Sequence, residues 1–180
     1  LKLIPEIKEA EDVRDCTVYQ KASAISSFTE EWQSEELTAL GGLDTLASIP
    51  KTEEGEYKVE TPIVVLDDES YIKYCETIGV EPRLDGTIIL NQIWDSINSV
   101  FRYPKYIPFV QESQNTIVLQ NTVQDETVEL PILGYTQEVP ALREEYRNYC
   151  LVQFISTSLW KDISSQIGSD SDTYIRILAK

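Results

Sequence analysis

Residues 61–90 constrain the fold more than any other part of this chain. Thr61-Pro-Ile-Val-Val-Leu66 is nearly continuous in apolar residues, the pattern of a buried strand. Asp67 and Asp68 follow it, and their carboxylates suit a helix start: they accept orphan amide protons and favour its positive end. Tyr71, Cys75 and Ile78 then recur at spacings of four and three, which makes one helical face. Gly79 falls just past the helix, where a positive φ is needed, and Val80 is placed to reach back to Cys75 as in a Schellman ending. After Pro82 and the Asp85-Gly86 turn, Thr87-Ile-Ile-Leu90 reads as a second buried strand. Strand, helix and strand within about 30 residues predict a βαβ-like unit with parallel strands and a right-handed crossover.

The end of the chain repeats this grammar. Residues 151–155 form an apolar strand, and Ser156, Thr157 and Ser158 each suit a helix cap. Leu159, Ile163 and Ile167 recur every fourth residue, Gly168 stops the helix, and residues 173–178 read as a last strand. Between the two units lies β-rich sequence. Residues 116–119 and 127–135 predict an antiparallel hairpin, with Pro131 marking an edge position or a bulge. Residues 140–149 form a charged connector of one or two helical turns. Ahead of residue 61, a strand is expected over 13–25 through Val13, Cys16, Val18 and Tyr19. A helix capped by Thr29 is expected over 29–40, stopped by Gly41-Gly42, and a loop over 43–60. Residues 1–12 read as a short amphipathic helix or a frayed end.

Charge narrows the function. Lys plus Arg number 15 against 31 Asp plus Glu, a net charge of −16. No basic footprint exists for nucleic acid, and the same charge opposes an anionic membrane face. The chain has no histidine, so Ser-His-Asp, Cys-His and His-ligated zinc chemistry are excluded. No apolar run approaches the roughly 20 residues of a membrane span. There is no methionine and the chain starts at Leu1, which reads as an excised fragment or a processed product. Cys16, Cys75 and Cys150 are far apart with no CxxC; buried free thiols are the simplest reading, and spacing leaves one bridge open. A hydrophobic share of 42% suffices for one domain core or two small lobes.

Candidate chemistry is sparse. Asp67-Asp68-Glu69 suits a metal or acid–base cluster on paper, but consecutive carboxylates at a strand-to-helix junction read better as caps. Gly168-Ser-Asp-Ser-Asp172 starts like a calcium loop but lacks the later glycine and the distal glutamate. Ser158-Leu-Trp-Lys161 matches S-x-x-K without its S-D-N and K-T-G partners, so a cap or first-turn role for Ser158 is expected. No catalytic residue, cofactor site or metal site is assigned. The run from Phe101 through Tyr103 and Tyr106 to Phe109 stands out instead. Aromatics with interspersed prolines make a stiff partner-binding surface, or else cover a lobe junction. Trp94 and Trp160 read as core or junction residues.

These words, in this order, resemble the extracellular domain of FtsX-like ABC transporter permeases, the family of the MacB-type periplasmic core domain. The resemblance rests on Ile63-Val-Val-Leu-Asp-Asp-Glu-Ser-Tyr71, on Tyr74 to Gly79 and on Gly86-Thr-Ile-Ile-Leu-Asn91. Leu133-Gly-Tyr135 before Pro140, Phe154-Ile-Ser-Thr-Ser-Leu-Trp160 and Tyr174-Ile-Arg-Ile177 add to it, and Val13-Arg-Asp-Cys-Thr-Val-Tyr19 looks like the first strand after a membrane helix. It covers most of residues 13–178. It implies an α+β fold in two lobes: a βαβ-containing lobe from residues 1–92 and 150–180, and a mostly-β lobe inserted at 93–149. It further implies a non-catalytic domain on the extracytoplasmic side of the cell membrane, both of whose ends lead into membrane helices. The implied partners are a cytoplasmic ATPase subunit, a second permease copy or subunit, and a peptide, lipoprotein or antibiotic-like substrate; the fragment itself is expected to be monomeric. The alternative is a free-standing secreted or surface-attached module that binds peptide or glycan. An enzyme ranks third, because only carboxylate-pair hydrolysis survives the lack of histidine.

Overall fold

A computed structural model describes residues 2–140, 142, 150–167 and 172–180. The class is α+β. Its strands are β1 (Val13–Thr29), β2 (Glu56–Leu66), β3 (Thr87–Leu90), β4 (Ile93–Trp94), β5 (Tyr106–Ile107), β6 (Thr116–Gln120), β7 (Thr127–Thr136), β8 (Gln153–Ser156) and β9 (Thr173–Ala179). Its helices are α1 (Ile4–Glu9), α2 (Glu35–Ala39), α3 (Gly42–Leu46), α4 (Asp68–Thr77) and α5 (Thr157–Ile167), with a 3₁₀ turn at Glu30–Trp32.

Seven strands form one sheet in the order β2-β8-β3-β7-β6-β1-β9, and β1 also pairs with β2. Ile25 and Ser26 of β1 face β2 along one edge and β6 along the other. Six strands therefore close into a ring, with β9 attached outside it to the first half of β1. Alternate residues from all six ring strands, among them Ala24, Ile63, Ile89, Ile117, Leu130 and Ile155, meet in one buried cluster. Leu37, Leu43 and the Leu159, Ile163, Ile167 face of α5 join it. The opposite residues, including Tyr19, Val64, Leu66, Ile88 and Phe154, form a second cluster under Tyr71, Tyr74 and Cys75 of α4. The segment 93–149 supplies β6 and β7 to this same sheet, and Phe109, Ile117, Leu119 and Leu130 to the larger core cluster.

The parallel βαβ expectation is corrected. β8 inserts between β2 and β3; it runs parallel to β2 and antiparallel to β3. The cause lies in the return path after α4. Residues 79–86 double back until Gly86 O accepts the Tyr71 hydroxyl from the first turn of the helix, at 3.0 Å. Ser156, level with the end of β2, donates to Leu84 O at 2.8 Å. The chain thus re-enters the sheet from the end it left, and β3 runs opposite to β2. β9 likewise pairs antiparallel with β1, not with β8.

Local signals in α4 hold in detail. Asp67 caps it, accepting Ser70 N at 3.1 Å. Gly79 has φ 73°, with Gly79 N on Glu76 O at 3.2 Å and Val80 N on Cys75 O at 2.9 Å, the two bonds of a Schellman ending. Gly134 allows a close approach: a Cβ there would lie 2.5 Å from Val80 Cγ2.

Elsewhere the boundaries moved. β1 runs on to Thr29 because Phe28 continues the inward alternation, so the expected helix over 29–40 reduces to the 3₁₀ turn and α2, capped by Ser34 through Leu37 N at 3.0 Å. The expected loop over 43–60 holds α3 and the start of β2, where Tyr57 and Val59 point inward between exposed Lys58 and Glu60. Pro131 ends the β6–β7 ladder opposite Thr116, beside an irregularity in the β3–β7 register. The three cysteines are free; burial pushes the Cys150 thiol up to about 12. Most of the connector over 140–149, and Gly168 with the residues up to 171, lie outside the described residues.

The C-terminal end of the described chain lies beside the segment that enters β1, while α1 before it turns back so that Lys8 Nζ reaches Glu69 at 2.8 Å. Val13 pairs with Ala179, Lys180 N donates to Asp12 O at 3.0 Å, and Lys180 Nζ donates to Glu11 O.

Candidate partner-binding site

The aromatic run belongs to a hairpin that leaves the sheet after β3 and returns at Val110. Asn91 holds its base. This buried side chain accepts Phe109 N and Val110 N at 2.9 Å each and donates to Val110 O at 3.0 Å. Ser34 N, just past the C-terminal end of β1, donates to Phe109 O at 3.0 Å, and Gln33 bridges Val110. β4 and β5 pair antiparallel above that base.

Buried Asp95 then shapes the turn. One oxygen accepts Ile97 N at 3.0 Å and Asn98 N at 2.9 Å; the other accepts Asn98 Nδ2 at 2.8 Å. Burial raises this carboxyl, but the hydrogen bonds outweigh it and hold it below the ordinary range. Ser99 Oγ accepts Lys105 N at 2.8 Å, and Tyr103 N donates to Val100 O at 2.9 Å. The tip is therefore built by side-chain and turn hydrogen bonds, with little packing beneath it.

The four aromatics separate. Phe101 is fully exposed and Tyr103 is 72% exposed. Tyr106 is half-buried in the stem. Phe109 has no exposed surface; it meets Phe28 edge-on, with ring centroids 5.3 Å apart. Phe109 is thus corrected from a partner-binding to a core residue, because Asn91 and Ser34 pin its backbone against the ring interior. Ile97 and Val100, 57% and 60% exposed, take its place at the tip. The Asp95-Ser-Ile-Asn98 segment was the available signal, since Asp and Asn side chains that bond their own backbone mark turns, and turns run over the surface. Residues 96–110 carry Arg102 and Lys105 and no acid, in a chain of net charge −16.

The carboxylates at 67–69 act as caps and braces. Asp67 accepts Val18 N at 2.9 Å as well as Ser70 N, tying α4 to β1. Burial raises its carboxyl, and the bonds from Val18 and Ser70 with the charge of Lys8 outweigh that and depress it. Asp68 reaches across to α5, accepting Ser158 N at 2.9 Å and the Ser158 hydroxyl. Ser156 caps α5 by accepting Leu159 N at 3.0 Å. Ser158 is a first-turn residue held by Asp68, which withdraws its hydroxyl from Lys161. Among the described residues no group of three or more Cys, Asp or Glu side chains is placed to hold a metal ion, and no helix is long and apolar enough to cross a membrane. No family model, no curated protein and no solved structure matches the chain.

Proposed function

We propose that this chain is a non-catalytic, extracytoplasmic domain of an FtsX-like ABC permease that presents its apolar hairpin tip to a substrate or partner protein and couples that contact to movement of the membrane helices. One observation carries the reading: the C-terminal end, together with the segment that leads into β1, and the tip are attached at opposite ends of β1. Lys180 and Asp12 meet beside its first residue, whereas the hairpin base is bonded to Gln33 and Ser34 beyond its last. A strand of 17 residues spans at most about 55 Å. Ends anchored together near a bilayer would leave the tip rooted far from it. Phe101, Tyr103, Ile97 and Val100 then face outward, beside Arg102 and Lys105. In this reading the intact protein pairs with a cytoplasmic ATPase subunit and a second permease subunit, and the substrate is peptide, lipoprotein or antibiotic-like. Tyr106 supports the tip from the stem.

The encoding gene and the intact product test it together. The open reading frame is expected to encode apolar stretches of about 20 residues on both sides of residues 1–180. In cells making that product, Phe101→Ser with Tyr103→Ser is expected to abolish transport while the isolated chain keeps its melting temperature. A frame with no apolar stretch on either side, or undiminished transport in the double variant, overturns the proposal; a secretion signal and a stop codon in those places would favour a free-standing binding module.

A further inference from the structure

A second surface lies at the other end of β1, on β9. No strand pairs with the outer edge of β9 among the described residues. Free edges are templates for another strand, and proteins commonly blunt them with charged side chains, proline, a bulge or a cover; on β9 the one charge is Arg176. Thr173–Ala179 holds no proline and no acidic residue. On one face Ile175 and Ile177 are 40% and 51% exposed. On the other, Tyr174 stacks on Tyr19 with centroids 5.2 Å apart, and Arg176 opens onto a groove of about 300 Å³ beside Lys73, Tyr74, Leu66 and Pro140. Asp15 and Glu138 also line this groove; Asp15 is paired with Lys73 at 3.4 Å. The Arg176 side chain has no ion pair or hydrogen bond with any described residue, although the chain has twice as many acids as bases.

We propose that β9 accepts an extended peptide as an added strand, with an acidic side chain set against Arg176 in the groove and apolar side chains on either side of it against Ile175 and Ile177. Strand alternation dictates that order: the residue opposite Arg176 faces the groove, and its two neighbours face the isoleucines. Main-chain hydrogen bonds supply affinity and the alternating side chains supply selectivity. A second copy of this chain fits less well. Antiparallel self-pairing that sets Ile175 against Ile177 also sets Arg176 against Arg176, and like charges directly opposite are destabilising. The chain's overall negative charge acts weakly here, since at physiological salt it is screened over about 8 Å while Arg176 is in contact.

The probe is a capped heptapeptide with glutamate at its centre, a valine on each side, then threonine and serine outward. It is titrated into the 180-residue chain, with amide hydrogen exchange read along β9. Exchange in β9 is expected to slow on binding. Replacing the central glutamate by lysine is expected to weaken affinity about tenfold, the scale of one charge-assisted hydrogen bond. Arg176→Glu is expected to reverse that preference, and Phe101→Ser to leave it unchanged, which separates this surface from the hairpin and from the permease reading. Unaltered β9 exchange at millimolar peptide overturns the proposal. So does equal affinity for the glutamate and lysine peptides, a comparison that needs no variant to fold. So does sedimentation showing that the chain already self-associates with its β9 amides protected.

Discussion

Gln153→Leu should make this protein more stable. Gln153 is the first residue of β8, with no exposed surface, paired across the sheet with Ile63 on one side and Ile89 on the other. Neither its amide nitrogen nor its oxygen has a hydrogen-bond partner among the described residues. Burying such an amide unpaired costs about 1–3 kcal/mol on protein mutational scales. Leucine has nearly the same reach and removes both polar atoms, so that penalty is expected to return as stability. At about 2–4 °C per kcal/mol for a domain of this size, the melting temperature should rise by about 2–12 °C in a calorimetric scan. Gln153→Ala separates the two contributions. It also removes the amide but leaves a hole, and a cavity of about 60 Å³ costs about 1.5 kcal/mol, so alanine should fall near the parent protein. A fall in melting temperature with leucine, at a level equal to or below that of alanine, refutes the reasoning: the amide would then be satisfied in the folded state, or the site would be unable to take a branched side chain.

Other expectations follow from the hairpin and the caps. Phe109→Ala should cost about 3–5 kcal/mol, as loss of a buried aromatic does, whereas Phe101→Ser should change denaturant stability by no more than about 0.5 kcal/mol. Comparable losses for both would contradict their separation into core and tip. Asp67 and Asp95 have folded pKa values below their unfolded ones. Their stabilisation is therefore complete above the ordinary carboxylate range, near pH 4, and lost as pH falls through the depressed folded values. Asp95→Asn retains an acceptor for Ile97 N and Asn98 N but does not titrate, so its melting temperature should decline less steeply between pH 5 and pH 2.5, on the order of the range over which these groups protonate. Identical slopes for parent and variant would show that Asp95 is not held as the carboxylate.

Much of this protein is legible along its chain, and the reason is local. Whatever depends on neighbours within a turn or two can be read: Asp67 as a cap, Gly79 at positive φ, the Leu159-Ile163-Ile167 face, the antiparallel β6–β7 pair. β2 shows where reading failed without needing to, since Tyr57, Val59 and Thr61 alternate with Lys58 and Glu60 behind a polar stretch that resembled a loop. The candidate site was half legible. Phe101, Tyr103, Tyr106 and Phe109 are equally aromatic, and nothing in their spacing distinguishes them. Asn91, ten or more residues away, and Ser34, across the fold, decide that Phe109 turns inward while Phe101 turns out.

Sequence by itself determined the helix ends and most strands, because hydrophobic period, caps and glycines act over a few residues. Tertiary structure alone decided that β8 lies between β2 and β3, that Asp68 of α4 braces α5, and that the C-terminal end and the hairpin base sit at opposite ends of β1. Strand order depends on which backbone edges meet after collapse, and an edge carries no side-chain signature that distinguishes one hydrogen-bonding partner from another.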